Sequence, residues 1–134
     1  MKDIHIHNLE KKSDERGWLI EVLGADQLEA NHPFGQMHVS IAYPGKIRGN
    51  HYHTRKVEWF CVPTGKGLLV LQDLKTGDRE EILMGEDALK TIKITPGIIH
   101  AIKNIGDKEL ALIVYSNEEF DPEDPDTFYQ QIID

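Results

Sequence analysis

The feature that most constrains this chain is its punctuation. Short runs rich in β-branched and aromatic residues alternate with glycine- and proline-bearing turns along nearly its whole length. "IHIHNL", "GWLIEVLG", "QMHVSIAY", "VEWFCVP", "GLLVLQDL", "REEILM", "KTIKIT", "IIHAIKN" and "ELALIVYS" read as strands. "YPGK", "PTGKG", "KTGDR", "TPG" and "IGDKE" supply turns between them. In "IHIHNL" the alternation puts Ile4 and Ile6 on one face and His5 and His7 on the other. Only "ADQLEANH" has the makings of a short helix, beginning near Asp26. Eight or more short strands predict an all-β sandwich or barrel, and a jelly roll is the form that leaves a cavity in its mouth.

Length and charge narrow the possibilities further. At 134 residues the chain is predicted to form one domain, 1–134, around one core. No apolar run approaches the roughly 20 residues of a membrane-spanning helix. "MKDIHIHNLEKK" lacks the apolar stretch of a signal peptide. The single cysteine, Cys61, excludes an internal disulfide, and a cytoplasmic location is expected. A net charge of −8 argues against nucleic-acid or acidic-membrane partners. Against that acidity, Lys46, Arg48, Arg55 and Lys56 form a local basic cluster.

That cluster lies inside "GKIRGNHYHTRKVEWFCVPTG", residues 45–65. His51 and His53 are two apart, so on a strand their imidazoles share a face. Glu58 opens the next run, and His100 follows the "TPG" turn in "TPGIIHAIKN". Three imidazoles and a carboxylate on separate strands of a small barrel can enclose a divalent metal. Zinc is the first candidate, with iron, manganese or nickel as others, because this donor set suits each of them.

The spacing is that of a known family. Gly45, His51-x-His53, Glu58 and Gly65 reproduce the first cupin motif at every fixed position. The second motif is met at Gly97, His100 and Asn104, with Thr95 at its proline position and Pro96 following. "DERGWLIEV", "GQMHVS" and "KIRGNHYH" resemble the cupin 3,5-epimerases of nucleotide-linked 4-keto-6-deoxy sugars. "GNHYH", Glu58 and "EEFDPEDPDTFYQQI" resemble still more closely the C-terminal cupin domain of bifunctional capsular-polysaccharide reductase–epimerases. The likeness runs over about residues 12–132.

The resemblance implies a cupin double-stranded β-helix that epimerises or isomerises a nucleotide-linked 4-keto-6-deoxyhexose for surface polysaccharide. It implies a homodimer, a nucleotide-sugar substrate and a separate reductase as pathway partner. Substrate contacts would fall at Arg16, Glu21, Gln36, His38 and Arg48, the last suited to a diphosphate. Two positions depart from the metal-free epimerases: Glu58 stands where they have lysine, and Ile113 where they have the general-acid tyrosine, with Tyr115 two residues on. The catalytic base falls at His51, yet an imidazole bound to metal has no lone pair left for a proton. If His51, His53, Glu58 and His100 hold the metal, it would stabilise an enolate, and Lys56, Tyr115 or His38 would move the proton. The alternatives are a ketoisomerase or dioxygenase on the same ligands, or a non-catalytic sugar-nucleotide-binding or sensory cupin. Trp18, Trp59, Phe60 and Cys61 are expected to pack, His5, His7 and His32 to be solvated, and Asn104 to close a turn.

Overall fold

A computed structural model describes residues 4–28 and 34–134. His32 and the second half of the expected short helix lie outside them; of that helix only the 3₁₀ turn Ala25–Gln27 is described. The strands are β1 (His5–Asn8), β2 (Lys12–Asp14), β3 (Gly17–Leu19), β4 (Gln36–Ala42), β5 (Ile47–Tyr52) and β6 (Glu58–Thr64). They continue with β7 (Lys66–Asp73), β8 (Arg79–Gly85), β9 (Lys90–Ile94), β10 (Ile98–Asn104), β11 (Leu110–Ser116) and β12 (Phe128–Tyr129).

Two five-stranded antiparallel sheets face one another, ordered β1-β9-β6-β11-β4 and β12-β5-β10-β7-β8. Strands distant in sequence interleave, β10 between β5 and β7 and β11 between β4 and β6. This is the jelly roll of a cupin. The β2–β3 hairpin pairs with neither main sheet. No helix of the described residues is long and apolar enough to cross a membrane.

Alternation decides which side chains meet between the sheets. Phe60 and Val62 of β6, Ile92 and Ile94 of β9, and Leu112 and Val114 of β11 pack against Leu69 and Leu71 of β7, Met84 of β8 and Ile102 of β10. The end of the barrel at the β10–β11 turn is closed by Asn104. Its side-chain amide donates to the carbonyls of Ala42 and Lys108, and its oxygen accepts from the Gly106 N–H. Trp59, Phe60 and Cys61 are buried as expected, His5 and His7 are exposed, and Trp18 is half-exposed on its hairpin beneath the Lys11 ammonium.

β4 shows the opposite consequence of alternation. Gln36, His38 and Ser40 face the barrel, whereas Met37, Val39 and Ile41 form an exposed apolar row on an edge strand. Such an edge is a surface that natural sheets usually cover.

Candidate metal centre and cavity

A cavity of about 460 Å³ opens at the other end of the barrel. Phe60, Ile102, Leu112 and Val114 make its apolar floor, and His51 of β5 and His53 just beyond it stand on its wall. His51 and Arg48 both face it although they are three residues apart, a spacing that a regular strand would place on opposite faces. A β-bulge resolves the conflict. His100 pairs with His51 and Ala101 with Gly49, so Asn50, at φ 59°, is the unpaired extra residue. Gly49 is required there: its φ is +103°, and a Cβ would stand 2.7 Å from the His100 carbonyl oxygen. The turn that delivers His100 contains Gly97 at φ +84°, whose N–H donates to the His53 carbonyl at 2.9 Å.

His51, His53, Glu58 and His100 converge so that one ligand atom from each lies within 4.8 Å of the others. The imidazole rings are 4.7–5.2 Å apart between centroids. Phe60 meets His100 edge-on at 5.5 Å, which gives the cage an apolar side.

Hydrogen bonds on the outer nitrogens assign the tautomers. His53 Nδ1 lies 2.6 Å from the Asp126 carbonyl oxygen, and His100 Nδ1 lies 3.0 Å from that of Ile98. A carbonyl only accepts, so both Nδ1 atoms carry hydrogen and both Nε2 atoms point inward. They meet the same carboxylate oxygen, Glu58 Oε1, at 2.9 Å and 3.3 Å. The longer contact lacks the alignment of a hydrogen bond, and His100 Nε2 is a buried nitrogen without a partner. A neutral imidazole lone pair aimed at a carboxylate is repulsive unless a proton or a cation stands between them.

The electrostatics point the same way. Burial pushes His51 down to about 4, helped by His100 and His53, so it is neutral at pH 7 with a lone pair to offer. Burial also disfavours charge on His53 and Glu58, but their mutual hydrogen bond raises His53 above its ordinary value. Glu58 is held well below the usual carboxylate range by His100 and His53. Three inward nitrogens and an ionised carboxylate fit a divalent cation.

The other expected site residues divide. Gln36, His38, Arg48 and Lys56 line the cavity. Gln36 spends its amide oxygen on the Phe120 N–H at 2.7 Å. Arg48 Nε donates to the Ile41 carbonyl. Lys56 is buried, with Nζ donating to the Pro125 carbonyl and lying over the Phe120 ring. The basic cluster is therefore not one patch. Arg55 turns outward to Glu118 and Asp124, leaving Arg48 and Lys56 in the cavity.

Three of the expected residues do not line the cavity of the single chain. Tyr115 does not reach the cavity: Leu112, Val114 and Ser116 are the inward residues of β11, so Tyr115 points to the outer face. There it packs between Phe34 and Trp59, with its hydroxyl 3.4 Å from the Gly35 N–H. Ile113 is excluded by the same alternation. Arg16 and Glu21 also lie away from the cavity, exposed in and beside the β2–β3 hairpin, each engaged locally by Asp14 and Lys12.

Sequence reasoning missed the far wall. Glu118, Phe120 and Thr127 line the cavity from the segment after β11, and Asp126 contacts His53 behind it. "NEEFDPEDPDTF" reads as a surface excursion because its acids and prolines are typical of one. Its one clue is Asp126, in a left-handed conformation that aspartate tolerates better than most residues.

Comparison with known proteins agrees with this architecture. Residues 12–128 match the family model "Polysaccharide biosynthesis C-terminal domain". "Spore coat polysaccharide biosynthesis protein SpsL" of Bacillus subtilis is 32% identical over 128 residues, covering 92% of this chain and 84% of that protein. "Probable low-salt glycan biosynthesis epimerase Agl13" of Haloferax volcanii is 30% identical over 130 residues, covering 92% of this chain and 83% of that protein. Among solved structures, the capsular polysaccharide assembling protein CapF of Staphylococcus aureus superimposes with a TM-score of 0.72 at 33% identity. The match covers 92% of this chain but 34% of CapF, so the chain corresponds to about a third of that larger protein. On these matches the chain belongs to the polysaccharide biosynthesis C-terminal domain family, and its fold is that of a cupin.

Proposed function

We propose that this protein is a metal-dependent epimerase or isomerase of a nucleotide-linked 4-keto-6-deoxyhexose in surface-polysaccharide synthesis. The observation that carries the reading is the pair of inward Nε2 atoms on one ionised carboxylate, on the wall of a cavity that also presents Arg48 and Lys56. His51, His53, Glu58 and His100 would hold the metal, zinc first among the candidates. A divalent cation there would supply Lewis acidity to a ketone oxygen and so favour loss of the neighbouring C–H proton.

The chain's own residues define the remaining roles. Arg48, exposed on the cavity wall, is suited to the diphosphate, where a guanidinium fork matches the oxygens. The apolar floor excludes water from the reacting carbon. With the cage histidines committed as ligands, His38 and Lys56 are the candidates to move the proton, since both face the cavity and Tyr115 does not. The exposed β4 row of Met37, Val39 and Ile41 suits a homodimer, and a separate reductase would act on the product.

The test is hydrogen exchange. Metal-loaded protein incubated in deuterium oxide with UDP- or dTDP-linked 4-keto-6-deoxy sugars should wash deuterium into C3, read by proton NMR. No exchange with either nucleotide would defeat the epimerase reading. One observation favours a second reading: Tyr115 faces away from the cavity, which suits a sugar-nucleotide-binding cupin without turnover. That reading expects calorimetric binding of the same sugars with no exchange.

A further inference from the structure

Among the described residues, two that are not glycine have positive φ: Asn50 at 59° and Asp126 at 44°. Asn50 ties β5 beside His51 to the C-terminal segment, and Asp126 ties that segment to His53 and the loop after it. Asn50, immediately before His51, accepts from the N–H groups of Ile132 and Ile133 through Oδ1 and donates from Nδ2 to the Ile133 carbonyl. Its own carbonyl accepts from the Gln130 N–H. Asp126 is 3% exposed, and its carboxylate gathers three successive backbone N–H groups, those of Thr54, Arg55 and Lys56, at 2.9–3.0 Å, together with the Thr54 hydroxyl. Its backbone carbonyl receives His53 Nδ1 at 2.6 Å.

These contacts have a chemical consequence. Thr54 to Val57 connect His53 to Glu58, so one carboxylate holds three of the four residues between two of the cage donors. The same residue's carbonyl dictates which nitrogen of His53 carries hydrogen. Concave groups of backbone N–H donors bind anions well, and a left-handed backbone persists only where its surroundings over-determine it. Residues that hydrogen-bond the outer nitrogen of a ligating imidazole orient it and tune its affinity for metal.

We propose that Asp126 is a positioning residue for the cage: by anchoring its carboxylate on the 54–56 loop it sets its carbonyl against His53 Nδ1, locking the tautomer that presents Nε2 inward. Its importance for metal affinity rests on the metal reading above, whereas its control of the tautomer does not.

The experiment therefore has two arms on the full chain. Long-range proton–nitrogen NMR of metal-free, ¹⁵N-labelled protein at pH 8.5 reads the His53 tautomer, with His53→Gln assigning the signal. Competition with a chromophoric chelator reads zinc affinity. Asp126→Gly keeps the left-handed turn but removes the carboxylate. It should mix the His53 tautomers and weaken zinc about 10- to 100-fold. Asp126→Asn keeps one acceptor oxygen and should lose only a few-fold, a partial rescue. Arg55→Ala, which loosens the outer clamp to Glu118 and Asp124, should retain the wild-type tautomer. Wild-type tautomer and zinc affinity in Asp126→Gly would overturn the proposal. If that variant does not fold, the same result in Asp126→Asn would overturn it. If the wild type binds no divalent metal, the metal reading fails and the tautomer arm alone decides: a fixed Nδ1–H form that becomes mixed in the variants supports the positioning role, and an unchanged one refutes it.

Discussion

The two ends of the barrel keep their shape by different means. At the packed end, Leu69, Leu110 and Met84 are almost wholly buried, and one asparagine ties the turn. At the open end, burial falls on groups that resist it: His53, Lys56, Glu58, His100 and Asp126 are each less than a tenth exposed. Order there comes from hydrogen bonds and from two left-handed residues rather than from apolar contact. A barrel built this way can hold an inflexible cage because the opposite end supplies the stability the cage lacks.

The comparison breaks first under a core truncation. Leu110→Ala at the packed end should cost about 2–5 kcal/mol in chemical denaturation, the usual range for deleting a fully buried leucine. The folded fraction should bind metal as the wild type does. A parallel loss of metal affinity would mean that the two ends are not separable.

Arg48→Ala should do the converse. Nucleoside diphosphate binding, measured by calorimetry, should weaken about 10- to 100-fold if a charge-assisted hydrogen bond is lost. Wild-type binding should also decline with salt. Melting temperature and metal content should stay unchanged, and equal affinity in mutant and wild type would move the diphosphate elsewhere.

The metal-free cage should also give the open end a pH signature. Buried His51 titrates near 4 instead of near 6.5, so the unfolded chain binds the extra proton between those values and stability falls as pH drops through that window. His53 is raised, so its contribution is present below about 6.5 and is lost as pH climbs through its folded value. Glu58 and Asp126 are depressed and add further loss below about pH 4. Urea midpoints in the presence of chelator should therefore peak near pH 6–7. A flat profile from pH 4 to 8 would show that His51 and His53 do not titrate as their surroundings require.

The histidine–glutamate set was legible because motif spacing maps directly onto alternation: His51 and His53 are two apart, Glu58 opens β6, and His100 lies near the start of β10. Asn104 was legible as a turn residue for the same reason. Tyr115 was not, because "ELALIVYS" is apolar on both faces and its period of two does not say which set is inward. Arg48 was placed by resemblance, while the bulge at Asn50 that makes its position possible leaves no pattern in a strand. Asp126 meets the 54–56 loop across some seventy residues of sequence, and no local periodicity reports a contact of that kind.

The smallest effect expected is that of Tyr115→Phe. On the outer face it should cost no more than about 1.5 kcal/mol in stability, the scale of one hydrogen bond, and leave metal content and deuterium exchange at wild-type levels. A drop in exchange would return the tyrosine to the chemistry.

All of this rests on His51, His53, Glu58 and His100 forming a metal centre. Elemental analysis of protein purified without a metal-binding tag tests it directly, with His53→Ala as the matched control. One equivalent of a divalent metal per chain is expected in the wild type and none held stoichiometrically by the variant. Absence of stoichiometric metal from the wild type, even after supplementation with zinc, iron and manganese, would contradict it.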